Sequence, residues 1–430
     1  MWAIVDCDNF FCSCERVFRP DLDGKTIVVL SNNDGCVVAR SKEAKAMGIK
    51  MGIPYYQMKQ QFPSSDIIAF SSNYVLYADM SARVIATLKL EALAVYQYSI
   101  DEAFLDLSGM EHIDLKAWGE KLARKIHRWT GIPVSLGIAK TKTLAKVAVR
   151  FAKKYPAYNK CCMIADDQQR EKALKLTAVE DVWGIGRRHT RSLNARGVKT
   201  AYEFTQKARS WVRKFYHVTG ERTWRELRGA DVLPLEGMDH TKQSIMTSRT
   251  FPCMYVKEDE LQPHIANYAA RCALKLRKQN SVCAMLTVFA RTNPFREDLP
   301  QYSGHASFLF PTPTSTTGEI VSAALKTLHE VYRPGFHFKR AGVLVDKISS
   351  AEAIQPDLFE YDPEKRARLN AIASTMDSIN SRLGNDTIIL ASQQYPVKHS
   401  DGKNITFKDA IKRDMKSPDY STRLDAFRIK

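Results

Sequence analysis

Two short acidic segments, about ninety-five residues apart, constrain this chain more than any other feature. Asp6 ends an apolar run that begins at Trp2, and Ser99-Ile100-Asp101-Glu102 lies within a second β-rich segment. Because both segments lie where strands end, a fold can bring them together as a carboxylate cage for a metal ion. The sequence therefore predicts a mixed α/β domain whose chemistry lies at its strand ends.

β-rich and helical segments alternate through the first part of the chain. The pattern predicts strands, separated by helices, at residues 3–6, 26–30, 95–107 and 134–138. A turn-forming run at 31–35 predicts that the second of these strands pairs with residues 36–39 as a hairpin. The order of elements is that of a β-α-β-β-α-β sheet.

The charge of the chain indicates the kind of partner that it binds. The 430 residues exceed what one hydrophobic core organises, and they carry a net charge of +17 with a pI near 9.4. Such an excess favours a polyanion through counterion release. The sequence contains no apolar run of about 18–20 residues and no signal-peptide pattern at its start. We expect a multidomain cytoplasmic protein that binds nucleic acid and not a membrane.

The nine cysteines lack the CxxC pairs that are typical of a zinc site. We therefore expect reduced thiols that are mostly buried.

A helix predicted at 142–154 has an apolar side and a cationic side. The apolar side repeats at helical spacing, and the other positions are mainly basic, namely Lys142, Lys146, Arg150, Lys153 and Lys154. No acidic residue occurs between 140 and 154. The basic side is either a solvated face or a surface for phosphate groups.

A second basic region surrounds the turn Gly184-Ile185-Gly186. Between 184 and 228 the chain has twelve Lys and Arg residues and three Glu residues. A glycine turn between helices presents backbone amides to a phosphate, although an ordinary turn between helices has the same sequence pattern. The charge density favours a grip on a nucleic-acid backbone, with Arg187 and Arg188 beside the turn.

The third block, residues 241–347, predicts a compact α+β module of a four-stranded sheet and two helices. It carries fourteen Lys and Arg residues against eight Asp and Glu residues. A positive sheet face is the resulting expectation. Residues 311–317, rich in Pro, Ser and Thr, are predicted to form a loop.

Asp6, Asp101 and Glu102 are the candidate catalytic and metal-binding residues. Nucleotidyl transfer depends on positioning and on charge stabilisation by Mg²⁺, and three carboxylates can bridge two such ions. The spacing alone leaves open that Asp101 and Glu102 form only a solvated turn.

Three motifs resemble those of the Y-family translesion DNA polymerases, in the same order and at similar spacing. They are residues 6–11 (DCDNFF), 98–103 (YSIDEA) and 137–146 (GIAKTKTLAK). A second set is similar to the UmuC-type members of that family, namely residues 19–22 (RPDL), 31–36 (SNNDGC), 70–74 (FSSNY), 77–81 (YADMS), 182–188 (VWGIGRR) and 417–423 (SPDYSTR). The resemblance extends essentially from end to end.

The resemblance implies a multidomain α/β and α+β right-hand polymerase. Its expected parts are a palm at 1–15 and 71–166, small fingers at 16–70, a helical thumb with a helix-hairpin-helix at 167–239, an α+β little finger at 240–347 and a C-terminal tail at 348–430.

The resemblance also implies roles for single residues. Two Mg²⁺ ions are expected on Asp6, Asp101, Glu102 and the backbone carbonyl of Cys7, whereas Asp8 has no assigned metal role. Phe11 falls at the steric-gate position, where a ring excludes the 2′-hydroxyl of a ribonucleotide. The expected triphosphate ligands are Lys153, Lys42 and Lys45, although many relatives carry Tyr and Arg at the last two positions. The expected DNA-binding residues are Gly184, Gly186, Arg187, Arg188, Lys142 and Lys146.

The expected partners are primer-template DNA and dNTPs, a sliding clamp, a processed UmuD-like dimer and a RecA filament. Gln355, Leu358 and Phe359 resemble a clamp-binding peptide. The expected function is error-prone translesion synthesis in the SOS response to DNA damage. From the residues alone, a two-metal nuclease and a non-catalytic nucleic-acid-binding protein remain alternatives.

Overall fold

The computed structural model describes residues 1–63, 66–110, 112–235, 241–354, 362–384, 386–394, 413–418 and 420. The chain divides into two compact units, one of Met1–His240 with Arg413–Lys430 and one of Thr241–Lys412. The division falls beside the boundary expected between thumb and little finger. The segment expected to form one tail, residues 348–430, is shared between the two units.

The strands described in the first unit are β1 (Trp2–Cys7), β2 (Thr26–Leu30), β3 (Val37–Arg40), β4 (Ile67–Ser71), β5 (Ala94–Gln97), β6 (Glu102–Asp106), β7 (Val134–Ala139) and β8 (Cys161–Ile164). Its helices are α1 (Phe10–Phe18), α2 (Lys42–Ala46), α3 (Tyr55–Gln61), α4 (Tyr74–Lys89), α5 (Leu115–Thr130), α6 (Lys142–Lys154), α7 (Asp167–Lys175), α8 (Arg187–Asn194), α9 (Ala201–Thr205) and α10 (Arg209–Leu227).

A five-stranded sheet with the order β5-β6-β1-β7-β8 forms the centre of this unit. β1 pairs antiparallel with both β6 and β7, and β8 is added parallel to β7. The β-rich segment expected at 95–107 is a hairpin of β5 and β6. The alternation of strands and helices predicted from the sequence is confirmed, and so is the helix at 142–154.

Alternate residues of β1 point to opposite faces of this sheet. Ala3 and Val5 belong to the core that contains residues of α4 and α5, whereas Ile4 belongs to the core formed with α6. Gly137 of β7 lets α6 approach closely, because a Cβ there would lie 2.1 Å from the carbonyl oxygen of Ala145. α6 is thereby held against the centre of the sheet.

A smaller three-stranded sheet has the order β3-β2-β4. β2 and β3 are antiparallel, which confirms the predicted hairpin, and β4 is parallel to β2. Its core includes Val28, Leu30 and Val37 together with residues of the short helices α2 and α3.

The helices α7 to α10 follow the large sheet. A single 3₁₀ turn at Val179–Asp181 precedes the glycine turn, and α8 begins directly after Gly186. The expected pair of helices around the turn is therefore incomplete on its first side, where a 3₁₀ turn replaces a longer helix.

The second unit contains β9 (Ile245–Tyr255), α11 (Glu258–Lys278), β10 (Ser281–Thr292), β11 (Ser303–Thr314), α12 (Thr317–Val331) and β12 (Phe338–Ser350). The sheet order is β11-β10-β12-β9, and α11 and α12 pack against it. The module predicted from the sequence is confirmed in type and order. The loop predicted at 311–317 is wrong, because β11 continues to Thr314. An edge strand tolerates Pro311 and Pro313, since part of its backbone needs no ladder partner.

The tail adds α13 (Pro363–Leu383) and a 3₁₀ turn at Ala391–Gln393 to the second unit. Arg277 of α11 forms a two-point ion pair with Asp377, and the Gln393 side chain donates to Asn267 at 3.1 Å. These contacts attach the first part of the tail to α11.

The thiol state of the cysteines is as expected. All nine are free, and seven are buried. None of the described helices combines the length and apolar character that spanning a bilayer requires.

Candidate active site

The acidic segments meet at one end of the five-stranded sheet. Asp6 in β1 lies directly opposite Glu102 in β6, and the Cys7 backbone N–H donates to the Asp101 carbonyl at 2.9 Å. Asp6 lies two residues after Ile4, and therefore on the side of the sheet that α6 covers. The pairing of two strands, and not proximity in sequence, brings the carboxylates together.

Ser99 shapes the turn that carries the second acidic segment. Its hydroxyl donates to the Asp101 carboxylate at 2.6 Å and accepts the backbone N–H groups of Asp101 and Glu102 at 3.2 and 3.0 Å. One side chain thus fixes the backbone at both acidic residues. Ser99 was part of a motif used in the sequence analysis, but it was given no role.

Two lysines of α6 neutralise the carboxylates. Lys146 Nζ lies 3.0 Å from Glu102 Oε2, and Lys153 forms an ion pair with Asp6. These residues are seven positions apart, which is close to two helical turns, so both lie on the side of α6 that faces the acidic end of the sheet. Lys153, an expected triphosphate ligand, therefore lies beside a candidate metal-binding carboxylate.

Lys146 also lies within a cage of aromatic rings. Its ammonium group is 4.4 Å from the ring centre of Tyr98 and 5.1 Å from that of Trp183. The Trp183 indole N–H donates to the Tyr98 hydroxyl at 3.1 Å. The expected DNA-binding lysine therefore contacts a candidate metal ligand and is largely enclosed.

Asp8 has a separate set of partners. Its carboxylate accepts the Ser135 hydroxyl at 3.0 Å and pairs with Lys160 at 2.8 Å. Lys153 is farther from it, at 3.8 Å. These contacts direct Asp8 away from Glu102, although it is only two residues from Asp6.

Burial and neighbouring charges alter the ionisation of Asp6. The pKa of its carboxyl is raised to about 6, because burial raises it most, Lys153 opposes the rise, and the nearby Glu102 and Asp101 add to it. A carboxylate held among other carboxylates favours a bound cation, because a cation relieves the repulsion between them.

The donor set fits Mg²⁺ in chemistry. Asp6, Asp101 and Glu102 supply the oxygen ligands that this ion prefers, and Cys7 adds a backbone carbonyl. Over the described part of the chain, no three acidic, His or Cys side chains are already arranged around a common metal position. In this structure the ammonium groups of Lys153 and Lys146 neutralise the charges of Asp6 and Glu102.

Phe11 lies in the first turn of α1 within a group of aromatic rings. Its ring stacks on Tyr77 at a centroid distance of 4.3 Å and meets the edge of Tyr74 at 6.0 Å. The Tyr77 hydroxyl donates to Glu15 at 2.7 Å. Two residues of α4 thus hold the ring expected to act as steric gate. Tyr77 and Glu15 were not singled out by sequence reasoning.

Of the two lysines expected from the smaller sheet, only Lys45 approaches the acidic end. Lys45 contacts the side chain of Asn9 beside α1. Burial and then the neighbouring charges of Lys153 and Arg40 lower the pKa of its ammonium group. Lys42 is exposed, and no hydrogen bond or ion pair joins it to the site residues described here.

The glycine turn needs glycine at only one of its two positions. Gly184 has φ +91°, and a Cβ there would lie 2.8 Å from Thr223 Oγ1. Gly186 has φ −85° and open space around it. Arg187 and Arg188 are exposed in the first turn of α8 and can reach a backbone phosphate.

Lys142, one of the expected DNA-binding residues, is buried in the structure. Its side chain is 3% exposed, it pairs with Asp231, and its ammonium group lies 4.1 Å from the ring centre of Trp2. A buried, paired ammonium group cannot reach a phosphate without breaking this contact. Lys142 and Lys146 are one helical turn apart, but only their tertiary partners distinguish them.

The four-stranded sheet exposes the face opposite its helices. Arg291 of β10 lies directly across from Arg340 of β12, and both side chains are exposed. Arg291 lies 5.1 Å from the ring centre of Phe289, and Arg340 donates to Ser248 at 3.1 Å. Like charges that face each other across strands repel, so an anion over this face stabilises the pair.

Gln355, Leu358 and Phe359, the expected clamp-binding residues, lie outside the described residues.

Family models match three separate parts of the chain. Residues 5–150 match the impB/mucB/samB family, residues 242–358 match the C-terminal domain of that family, and residues 370–427 match a domain of unknown function (DUF4113).

Curated relatives match over most or all of their length. Protein UmuC of Salmonella typhimurium is 40% identical over 433 residues, covering 100% of both chains. Protein ImpB of Salmonella typhimurium is 39% identical and covers 98% of each. DNA polymerase IV of Brucella melitensis is 26% identical, with 89% of this chain and 83% of the relative aligned.

Solved structures support the fold. A Y-family DNA polymerase chimera, Dbh-Dpo4(243-245)-Dbh, has a TM-score of 0.67 at 24% identity, covering 81% of this chain and 100% of the other. Given the matched families, the extent of the UmuC alignment and the acidic end of the sheet, the chain belongs to the impB/mucB/samB family as a UmuC-like Y-family DNA-directed DNA polymerase.

Proposed function

We propose that this chain performs template-directed, error-prone translesion synthesis, transferring nucleotides from dNTPs to a primer 3′ end during SOS damage tolerance. The observation that carries the proposal is the meeting of Asp6, Asp101 and Glu102 at one strand end, with Lys153 beside them. Membership of a family whose relatives include UmuC and DNA polymerase IV agrees with it. The reaction takes place on DNA in the bacterial cytoplasm.

The proposed cofactor is a pair of Mg²⁺ ions. Asp6, Asp101, Glu102 and the Cys7 carbonyl would hold them, and the ions would supply charge stabilisation to the attacking and leaving oxygens. Lys146 and Lys153, which pair with Glu102 and Asp6 in this structure, are then free to neutralise other anions.

Lys153 and Lys45 are the proposed ligands of the triphosphate. Burial, and after it the charge of Lys153, lowers the pKa of the Lys45 ammonium group, and an anion between the two lysines would relieve their repulsion. Lys42 has a weaker claim, since among the described residues it makes no contact with this group, whereas Lys45 contacts Asn9. Phe11 is proposed to limit the sugar to deoxyribose, because its ring is fixed between Tyr74 and Tyr77.

DNA is proposed to contact several parts of the chain. The glycine turn at Gly184 and Gly186, with Arg187 and Arg188, suits the backbone of a duplex, and Arg291 and Arg340 suit phosphates near the open sheet face. Lys146 is proposed to act at the active site, and Lys142 is no longer proposed as a ligand. A sliding clamp at Gln355, Leu358 and Phe359, a processed UmuD-like dimer and a RecA filament are the proposed protein partners.

Primer extension tests the proposal. A labelled primer on undamaged and abasic templates is incubated with dNTPs, with and without Mg²⁺, with the clamp, the UmuD-like dimer and RecA supplied. We expect Mg²⁺-dependent lengthening that is lost in Asp101→Asn while DNA affinity is kept. Shortening of the primer would instead establish a nuclease. DNA binding with no change in length under every condition would establish a non-catalytic binding protein.

A further inference from the structure

The last described segment of the chain packs onto the first unit. Residues 413–418 and Tyr420, here called the terminal strap, lie beside the end of β4. The Ser71 backbone N–H donates to the Met415 carbonyl at 3.0 Å, and the Met415 N–H donates to the Ser71 hydroxyl at 3.0 Å. Lys416 forms a parallel bridge with Ser71. The strap therefore continues the edge of the smaller sheet.

Apolar side chains anchor the strap at two points. Met415 packs against the core of the three-stranded sheet, where the Tyr55 hydroxyl lies 3.7 Å from its sulfur. Tyr420 stacks on Phe18 of α1, with ring centres 4.6 Å apart and planes 4° from parallel. Between these two points, Ser417 lies against the start of α4.

Ser417 is the central residue of the strap, and it is buried. Its hydroxyl accepts the side-chain N–H of Asn73 at 3.0 Å and donates to Glu15 Oε1 at 3.3 Å. Asn73 is also the N-cap of α4, because its side-chain oxygen accepts the Leu76 N–H at 3.4 Å. One hydroxyl of the strap thus holds the residue that begins α4.

The same helix holds the gate residue. Tyr74 follows directly after Asn73, and both Tyr74 and Tyr77 contact the ring of Phe11. The Tyr77 hydroxyl donates to the Glu15 oxygen that Ser417 also contacts. A continuous set of contacts therefore runs from the strap through α4 and Glu15 to Phe11.

We propose that the terminal strap positions the Phe11 ring through Ser417, and so sets how strictly the polymerase excludes ribonucleotides. This gives a role to the end of a domain of unknown function, and it rests on the proposed function. Ser417 is a positioning residue, because it acts through Asn73, Glu15 and Tyr77 and lies outside the nucleotide site.

Glu15 supports this role. Its side chain is fully buried, and burial raises the pKa of the carboxyl, while hydrogen bonds from Tyr77 and Ser417 lower it. Both donors contact Oε1 of this carboxyl, so without Ser417 that oxygen keeps only the Tyr77 hydroxyl, and we expect the carboxyl to shift towards it. The shift would move Tyr77, which stacks on Phe11.

A double-mutant cycle tests the proposal. Phe11→Ala, Ser417→Ala and the double variant are compared with wild type by the ratio of kcat/KM for a dNTP to that for the matching rNTP. We expect Phe11→Ala to lower this ratio strongly. We expect Ser417→Ala to lower it about fivefold, which corresponds to one net hydrogen bond, and to have no further effect in the Phe11→Ala background.

The outcomes separate this proposal from the proposed function. Failure of the wild type to extend a primer would overturn the function itself, and an unchanged ratio in Phe11→Ala would overturn the gate. A normal ratio in Ser417→Ala beside a lowered ratio in Phe11→Ala would overturn only the strap. An equal effect of Ser417→Ala with and without Phe11 would also overturn it.

Hydrogen exchange provides a measurement that needs no catalysis. In the protein alone, Ser417→Ala should speed exchange of the amides in the first turn of α4, because its cap has lost a partner. Arg413→Ala, at the exposed beginning of the strap, is the control and should change neither exchange nor the sugar ratio. Unchanged exchange in Ser417→Ala would contradict the proposal.

Discussion

The two large sheets present their polar groups in opposite ways. The five-stranded sheet is covered on both faces, and its acidic groups lie where β1 ends and β6 begins. The four-stranded sheet is covered on one face by α11 and α12 and carries Arg291 and Arg340 on the other. A site at strand ends depends on a few side-chain atoms, whereas on an open sheet face many side chains share the contacts with a ligand. Single substitutions should therefore act strongly at the first and weakly at the second.

The largest effect is expected from Asp6→Asn. It removes a charge where Asp6 and Glu102 face each other, so we expect the primer-extension rate to fall about 10³-fold. DNA affinity, measured by fluorescence anisotropy, should stay the same. Asp8→Asn is the matched control, because Asp8 is paired with Ser135 and Lys160.

The Asp8→Asn variant tests whether Asp8 belongs to the acidic site. We expect Asp8→Asn to retain activity within about tenfold of wild type, since its partners are outside the carboxylate group. A loss equal to that of Asp6→Asn would place Asp8 in the catalytic site. The acidic end of the five-stranded sheet would then differ less from the open face of the four-stranded sheet than we propose.

A second, smaller effect is expected from Lys153→Met. Removing this ammonium group should raise the KM for dNTP about tenfold, the usual scale for a hydrogen bond to a charged group. Steady-state kinetics would measure it. Lys154→Met is the control, because Lys154 is the next residue and its ammonium group lies over the Tyr155 ring at 5.3 Å. Equal increases in KM for both variants would indicate a general charge effect.

The sequence identified the acidic end of the sheet because the pattern of strands is local. Apolar and β-rich runs predict strands at 3–6 and 95–107, and the acidic residues of these segments meet when the strands pair. The roles of Lys142 and Lys146 were not predictable in this way. Asp231, which pairs with Lys142, is 89 residues away in the chain.

The contacts of the terminal strap are even harder to predict from the sequence. Ser417 and Asn73 are 344 residues apart, and neither the serine nor its neighbours has a pattern that predicts its partner. The motifs at 70–74 and 417–423 were recognised separately as similar to UmuC-type sequences. The structure shows that they contact each other.

An effect of intermediate size is expected at the glycine turn, where the backbone conformation sets the geometry. Gly184→Ala forces a side chain onto φ +91° and into contact with Thr223, so we expect a loss of about 1–2 kcal/mol in stability. Thermal unfolding would measure it, and DNA affinity should fall severalfold. Gly186→Ala is the control for stability, because this position has open space around it, and it should leave the unfolding temperature unchanged. Equal losses in both variants would argue against this geometry.

The smallest effect is expected on the open face of the four-stranded sheet. Arg291→Ala and Arg340→Ala should each weaken DNA binding about twofold, and each should reduce the slope of log Kd against log salt concentration by about one. Arg333→Ala, after α12 on the covered side of the sheet, is the control. If either open-face substitution abolished binding, the face would hold one dominant contact instead of many. If the losses from Arg291→Ala and Arg340→Ala add in the double variant, the two arginines bind separate phosphates, because residues that share one phosphate couple.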